Sequence, residues 1–214
     1  MLAITDARQG MTVRQVEEML GVHRSIAYRL LQTLCDFKLV TRGAKGLYLP
    51  GPRLATLADS YLPYLLDLAL PIMRRVADDL ASTIALFVEE GVSALAIAKI
   101  EPRNVRHHIA FQAGMSTPMD RGAAAYAILA GRSAEPDEPA AVTRARQLGF
   151  AQSEGEVEPG EFGIAATIRM PPELPSACFL VVTHRADIAA TAGPTIRDAA
   201  EELAGQLDGH SAEA

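Results

Sequence analysis

Tryptophan is absent from the 214-residue chain, and cysteine occurs only twice, as Cys35 and Cys178. Two cysteines cannot supply the disulfide framework of a small secreted scaffold, so the expected home is a reducing interior, the cytoplasm. No apolar run approaches the roughly 18 residues that a membrane-spanning helix needs. Asp6 and Arg8 stand too early for a secretory leader. Basic charge is also in deficit, with a formal net charge of −6. That deficit argues at first against a polyanionic partner, but its distribution reverses the inference. Residues 1–60 hold eight Lys/Arg against five Asp/Glu, a net of +3, whereas the remainder holds twelve against twenty-one, a net of −9. A basic head on an acidic body suits a reader of nucleic acid joined to a domain that stays off it. Hydrophobic residues make up 49% of the chain, enough for a sizeable core in one large or two small domains. No internal repeat is present.

The head carries the most ordered pattern. Thr12-Val13-Arg14-Gln15 has the form of a capping box, flanked by Met11 and Val16 as a hydrophobic staple. The helix that it opens is expected to reach Leu20, where Gly21 ends the pattern. A second helix is expected from Arg24 to Phe37, with Ile26, Leu30, Leu34 and Phe37 as its apolar stripe. Ser25, Tyr28, Arg29 and Gln32 share another face at helical spacing. Two helices around a glycine turn, the second with one apolar and one hydrogen-bonding face, form helix-turn-helix geometry. The segment Leu39–Arg42, the turn 43–46 and the return strand Leu47–Leu49 then make a wing, with Lys45 at its tip and Arg42 at its base. On this reading Ser25, Tyr28, Arg29 and Gln32 enter the major groove. Arg24, Arg42, Lys45 and Arg53 hold phosphates, and Thr12 adds a helix N-terminus. Arg29 has a second open role, as a brace of the fold through a buried carboxylate.

Behind the head, Leu54 to Tyr61 reads as a connecting helix, and Leu65, Leu68, Ala69 and Ile72 prolong its apolar stripe. Pro71 is expected in the first turn of a new helix. Strand candidates follow at Thr83–Glu89, Ala94–Ile100 and Val105–Phe111, then an Ala-rich helix from Gly122 to Ala130 and a short helix from Val142 to Leu148. Two further strands, Gly163–Met170 and Ala177–Thr183, precede a last helix opened by Pro194. The order predicts an α+β body, an antiparallel sheet covered by helices.

These residues resemble the IclR-type bacterial transcriptional regulators. Residues 21–34, Gly-Val-His-Arg-Ser-Ile-Ala-Tyr-Arg-Leu-Leu-Gln-Thr-Leu, are similar to that family's recognition-helix signature, and residues 48–54 to its wing exit. Residues 114–130 resemble the loop and helix that open its ligand pocket, and residues 149–166 the approach to its penultimate strand. The resemblance implies a winged helix-turn-helix (1–53), a linker helix (54–70) and a GAF-like effector domain (71–214). It implies a regulator, most often a repressor, without enzymatic activity or cofactor. It further implies a homodimer or dimer of dimers on palindromic operator DNA, controlled by a small organic acid or aromatic metabolite. Carried over by position, Ala123, Ala124, Ser153, Gly163, Val181 and Thr183 would line the pocket. Asp120 and Arg121 replace the more usual His-Ala, Gly163 and Val181 stand where hydroxyl or thiol side chains are common, and His184-Arg185 replaces Gly-Pro. The segment 131–148 is shorter than usual.

Other classes of function leave weaker marks. Arg121 suits a bidentate clamp on a ligand carboxylate, or equally a surface ion pair with Asp120. The rear domain serves as a ligand sensor or, alternatively, as a dimerisation module alone. Cys178, His184 and Asp187 have the residue types of a thiol catalyst, but Cys178 starts an apolar strand, where a buried structural thiol is expected. His107 and His108 are adjacent on an expected strand and point to opposite faces, so they make a poor metal-ligand pair.

Overall fold

A computed structural model of the chain describes residues 1–7, 9–58, 62–103, 113–172 and 174–211. Two compact units divide them, Met1–Pro63 and Tyr64–Ala214.

The first unit begins with a short helix α1 (Leu2–Asp6), the brief strand β1 (Met11–Thr12) and helix α2 (Val13–Leu20). Thr12 caps α2 through the full capping box with Gln15, and Gly21 ends it in the left-handed conformation at φ 62°. Helix α3 (Arg24–Asp36) follows, its N-cap His23 accepting at the ring from the Ser25 amide. Strands β2 (Val40–Arg42) and β3 (Leu47–Pro50) form the wing, and β1 joins them in the order β1-β3-β2. Lys45 sits at the tip with φ 55°. A side chain at Gly51 would place its Cβ 2.1 Å from the Lys38 carbonyl oxygen, so only glycine lets the wing exit pass this close. Helix α4 (Arg53–Ala58) covers the first part of the expected connecting helix Leu54–Tyr61; residues 59–61 lie outside the described residues.

The head core gathers Ile4, Val16, Ala27, Leu31, Val40 and Tyr48. This corrects the expected stripe of the second helix. Ile26, Leu30 and Phe37 are 49%, 46% and 58% exposed, whereas Ala27 and Leu31 are sealed. Both pairs repeat every four residues, so spacing alone cannot choose between them. The wing and α2 dry the face one residue further along.

The second unit comprises α5 (Pro63–Leu80), β4 (Thr83–Glu90), β5 (Ser93–Ile100), β6 (Ser116–Pro118), α6 (Ala123–Ala130), α7 (Ala140–Leu148), β7 (Ala151–Glu154), β8 (Phe162–Ile168), β9 (Ala177–Thr183) and α8 (Ala186–Ser211). Its six strands pair antiparallel in the order β6-β5-β4-β9-β8-β7, an α+β arrangement. The strand expected at Val105–Phe111 and the pair His107-His108 fall outside the described residues. Helix α6 packs on β7, β8 and β9, while α8 packs on β8 and β9. Every residue of β9 is buried, as a strand covered on both faces must be. Cys178, Leu180 and Val182 cluster with α6, so Phe179, Val181 and Thr183 point to the other face.

Pro71 and Pro194 do not open helices as expected; both lie inside longer ones. A proline there removes one backbone hydrogen bond and costs about 3 kcal/mol. Tertiary burial offsets it: Leu65, Ala69, Ile72, Met73, Val76 and Ala77 are buried along α5, and Ala189, Ala192, Ile196, Ala199, Ala200 and Leu203 along α8. Helix α5 consequently runs straight through residue 70, where the linker had been expected to end. Among the described residues no helix is long and apolar enough to cross a membrane.

Candidate functional site

Helix α3 offers one coherent outer face. Ser25, Tyr28 and Arg29 are exposed there and Gln32 is half-buried, opposite the sealed Ala27 and Leu31. Arg42, at the base of the wing, is tied to this face. It donates to the Tyr28 hydroxyl at 3.0 Å and to Gln32 Oε1 at 2.5 Å, and its guanidinium lies 5.6 Å from the Tyr28 ring centroid and 5.8 Å from that of Tyr48. Gln32 in turn donates to Asp36. The wing base is thereby fixed to the helix, with Tyr28 and Gln32 already engaged. Ser25 Oγ is shared with the His23 ring at 2.9 Å, an N-cap that the sequence reading missed because histidine is not a favoured capping residue. The Thr12 hydroxyl is engaged with Gln15.

Arg24, Arg29, Lys45 and Arg53 are exposed and, among the described residues, have no side-chain partner. Of the two roles open to Arg29, bracing through a buried carboxylate is therefore not the one adopted.

The second unit contains a cavity of about 340 Å³. Its floor is a row across three strands: Ser153 on β7 pairs with Gly163 on β8, which pairs with Val182 on β9. Cross-strand partners share a face, so the three side chains meet the same space. A Cβ at Gly163 would approach Ser153 Oγ to 2.9 Å and Ala123 Cβ to 3.2 Å, so glycine keeps the floor open. The roof is the N-terminus of α6. Ala123 N–H donates to Ser153 Oγ at 3.0 Å and Gly122 N–H to Glu156 Oε2 at 2.9 Å. The remaining first-turn amides have no partner within the helix. Glu156 also accepts from the Tyr126 hydroxyl at 2.7 Å; burial, then this contact, pushes the Tyr126 phenol up.

Arg121, Ala123, Ala124, Ser153 and Gly163 lie in the cavity wall as expected from their positions, but Asp120, Val181 and Thr183 do not. The β9 positions were misplaced by one residue, which flips a strand side chain to the opposite face. Leu180, Val182 and His184 face the cavity instead. Asp120 lies one residue before the wall that Arg121 enters. Thr117, Glu158 and Glu161 also line the space and had not been singled out. Thr117 is informative because its Oγ1 is buried without a hydrogen-bond partner. No local signal marks it, since β6 is only three residues long.

Cys178, His184 and Asp187 do not assemble. Cys178 is fully buried against the Ala124 carbonyl, and burial pushes its thiol far above the usual range, away from a reactive thiolate. His184 Nδ1 engages the Gly160 carbonyl, and Asp187 pairs with Arg185. Among the described residues no group of three or more His, Cys, Asp or Glu is placed to hold a metal ion.

Residues 1–43 match the IclR helix-turn-helix domain family. No curated protein matches the sequence closely enough to count as a relative. Solved structures share the fold. An IclR homolog from Microbacterium hydrocarbonoxydans, complexed with 4-hydroxybenzoate, superposes with a TM-score of 0.78 at 18% identity, covering 97% of this chain and 96% of its own. An IclR transcriptional regulator from Alicyclobacillus acidocaldarius gives 0.76 at 20% identity over 92% and 90%. HmgR from Pseudomonas aeruginosa gives 0.75 at 16% over 94% and 92%. Residues 1–43 thus match the IclR helix-turn-helix domain, and the chain shares the fold of solved structures of IclR regulators.

Proposed function

We propose that this protein is a sequence-specific DNA-binding transcriptional regulator, acting as a dimer and in the repressing sense. Its rear unit would hold a small carboxylate-bearing metabolite. The observation that carries the DNA-binding part is the outer face of α3, where Arg24 and Arg29 stand exposed beside Tyr28 and, among the described residues, unpaired. Arg29 is placed for base edges, and Arg24, Arg42, Lys45 and Arg53 for phosphates. Footprinting of the purified protein on the DNA upstream of its own gene tests the reading; an absence of protection at low salt overturns it. Lys45→Ala should weaken all duplexes alike and flatten the plot of log affinity against log salt by about 0.9. An unchanged slope would remove Lys45 from the interface.

For the cavity, the supporting observation is its lining, where Arg121, Thr117 and Ser153 stand among apolar side chains. Arg121 adds a positive charge suited to a carboxylate. The 4-hydroxybenzoate complex of the Microbacterium structure agrees with a ligand of this kind. Thr117→Val should raise the melting temperature of the ligand-free protein, because an unpaired buried hydroxyl costs about 1–3 kcal/mol. A melting temperature that falls instead would mean the hydroxyl serves the fold. Ligand binding alters DNA affinity only if it favours one dimer arrangement over another, and typical coupling is about 1–3 kcal/mol.

A further inference from the structure

Part of the cavity wall has the wrong charge for a simple acid. Arg121 enters from the loop before α6, but Glu158 and Glu161 enter from the loop joining β7 to β8. Glu161 directly precedes Phe162, which pairs with Thr183, so Glu161 and His184 stand beside each other at the end of the sheet. Glu161 is half-buried and, among the described residues, has no ion-pair or hydrogen-bond partner for its side chain. Burial pushes its carboxyl above the usual range, His184 draws it back, and Glu158 pushes it up again. His184 is itself occupied, its Nδ1 engaged with the Gly160 carbonyl at 3.0 Å.

An unpaired carboxylate in a partly desolvated wall is unfavourable until a cation meets it. A plain carboxylate ligand would answer Arg121 and add repulsion at Glu161. A ligand with both charges answers both ends. Phe87, Met115, Val157, Leu180 and Val182 give the same wall an apolar portion. At about 340 Å³ it lies at the small end of ligand pockets.

We propose that the ligand is a zwitterion, an α-amino acid with an apolar or aromatic side chain. Its carboxylate lies against Arg121, and its ammonium lies against Glu161. The proposal rests on the reading of the cavity as an effector site and adds the ligand class. Glu161 is then a specificity residue, separating amino acids from the deaminated acids of the same shape.

The test is calorimetric titration of the full-length protein with leucine and phenylalanine, and with their deaminated counterparts 4-methylpentanoate and 3-phenylpropionate. The wild type should bind at least one amino acid about tenfold or more tightly than its deaminated counterpart. Glu161→Gln should abolish or reverse that preference without lowering the melting temperature. Arg121→Gln should weaken both ligand classes alike. If the deaminated acids bind as well as the amino acids, and Glu161→Gln leaves the ratio unchanged, the zwitterion proposal falls while the carboxylate effector site stands. If none of the four binds, both fall.

Discussion

Arg29→Ala is expected to lower affinity for a duplex selected by the protein from a random pool by about 5- to 150-fold, or 1–3 kcal/mol. Affinity for unselected DNA should fall much less. The reason lies in what surrounds the residue. Arg42 already holds Tyr28 and Gln32, and Ser25 is shared with His23, so three of the four polar groups on the α3 face are engaged before DNA arrives. Arg29 is exposed and, among the described residues, has no side-chain partner, the state of a guanidinium free to bind guanine bidentately. Removing it breaks nothing in the fold, so the melting temperature should not move. Equal losses on both kinds of duplex, measured by fluorescence anisotropy, would reassign Arg29 to a phosphate. A fall in melting temperature would make it structural.

Leu31→Ala should destabilise the head by about 2–5 kcal/mol, the range for a buried leucine truncated in a core that relaxes only partly. Leu31 is 1% exposed and sits among Ile4, Val16, Ala27, Val40 and Tyr48. A core this small supports a marginal stability, so the loss should unfold much of the head. Hydrogen exchange on the full chain reads this directly. Protection should vanish along α2 and α3 and DNA binding should fail, while β4, β8 and β9 keep their protection. Leu30→Ala is the matched control. Leu30 is 46% exposed, and its truncation should shift stability by no more than about 0.5 kcal/mol, as at ordinary surface positions. Comparable damage from both substitutions would mean that the buried face of α3 has been assigned to the wrong residues.

That contrast marks the limit of what the chain announces locally. The capping box at Thr12, the left-handed Gly21 and the hairpin around Lys45 are settled within a few residues, and each was readable without knowing the fold. The separation of a basic head from an acidic body was equally open to inspection, since charge adds up along the chain whatever its shape. The rotational phase of α3 was not. Ile26 and Leu30 are more hydrophobic than Ala27, yet the wing covers Ala27 and Leu31. Nor was the parity of β9 readable, because one of its neighbours, β4, comes from a distant part of the chain. Helices α5 and α8 ran through Pro71 and Pro194 because burial against the second unit outweighed a local preference.

The same division explains the two candidate sites. Sequence alone picked out the helix and wing of the candidate interface, since their polar groups recur at helical spacing or cluster in one hairpin. Only the tertiary structure decided the cavity. Thr117 on β6 meets Ser153, Gly163, Val182 and Glu161 because β4 pairs with β9, which joins strands far apart in sequence, and the register chooses which side chains lose water. Short-range periodicity and capping are carried by neighbouring residues, whereas desolvation belongs to surfaces that exist only after distant segments have met.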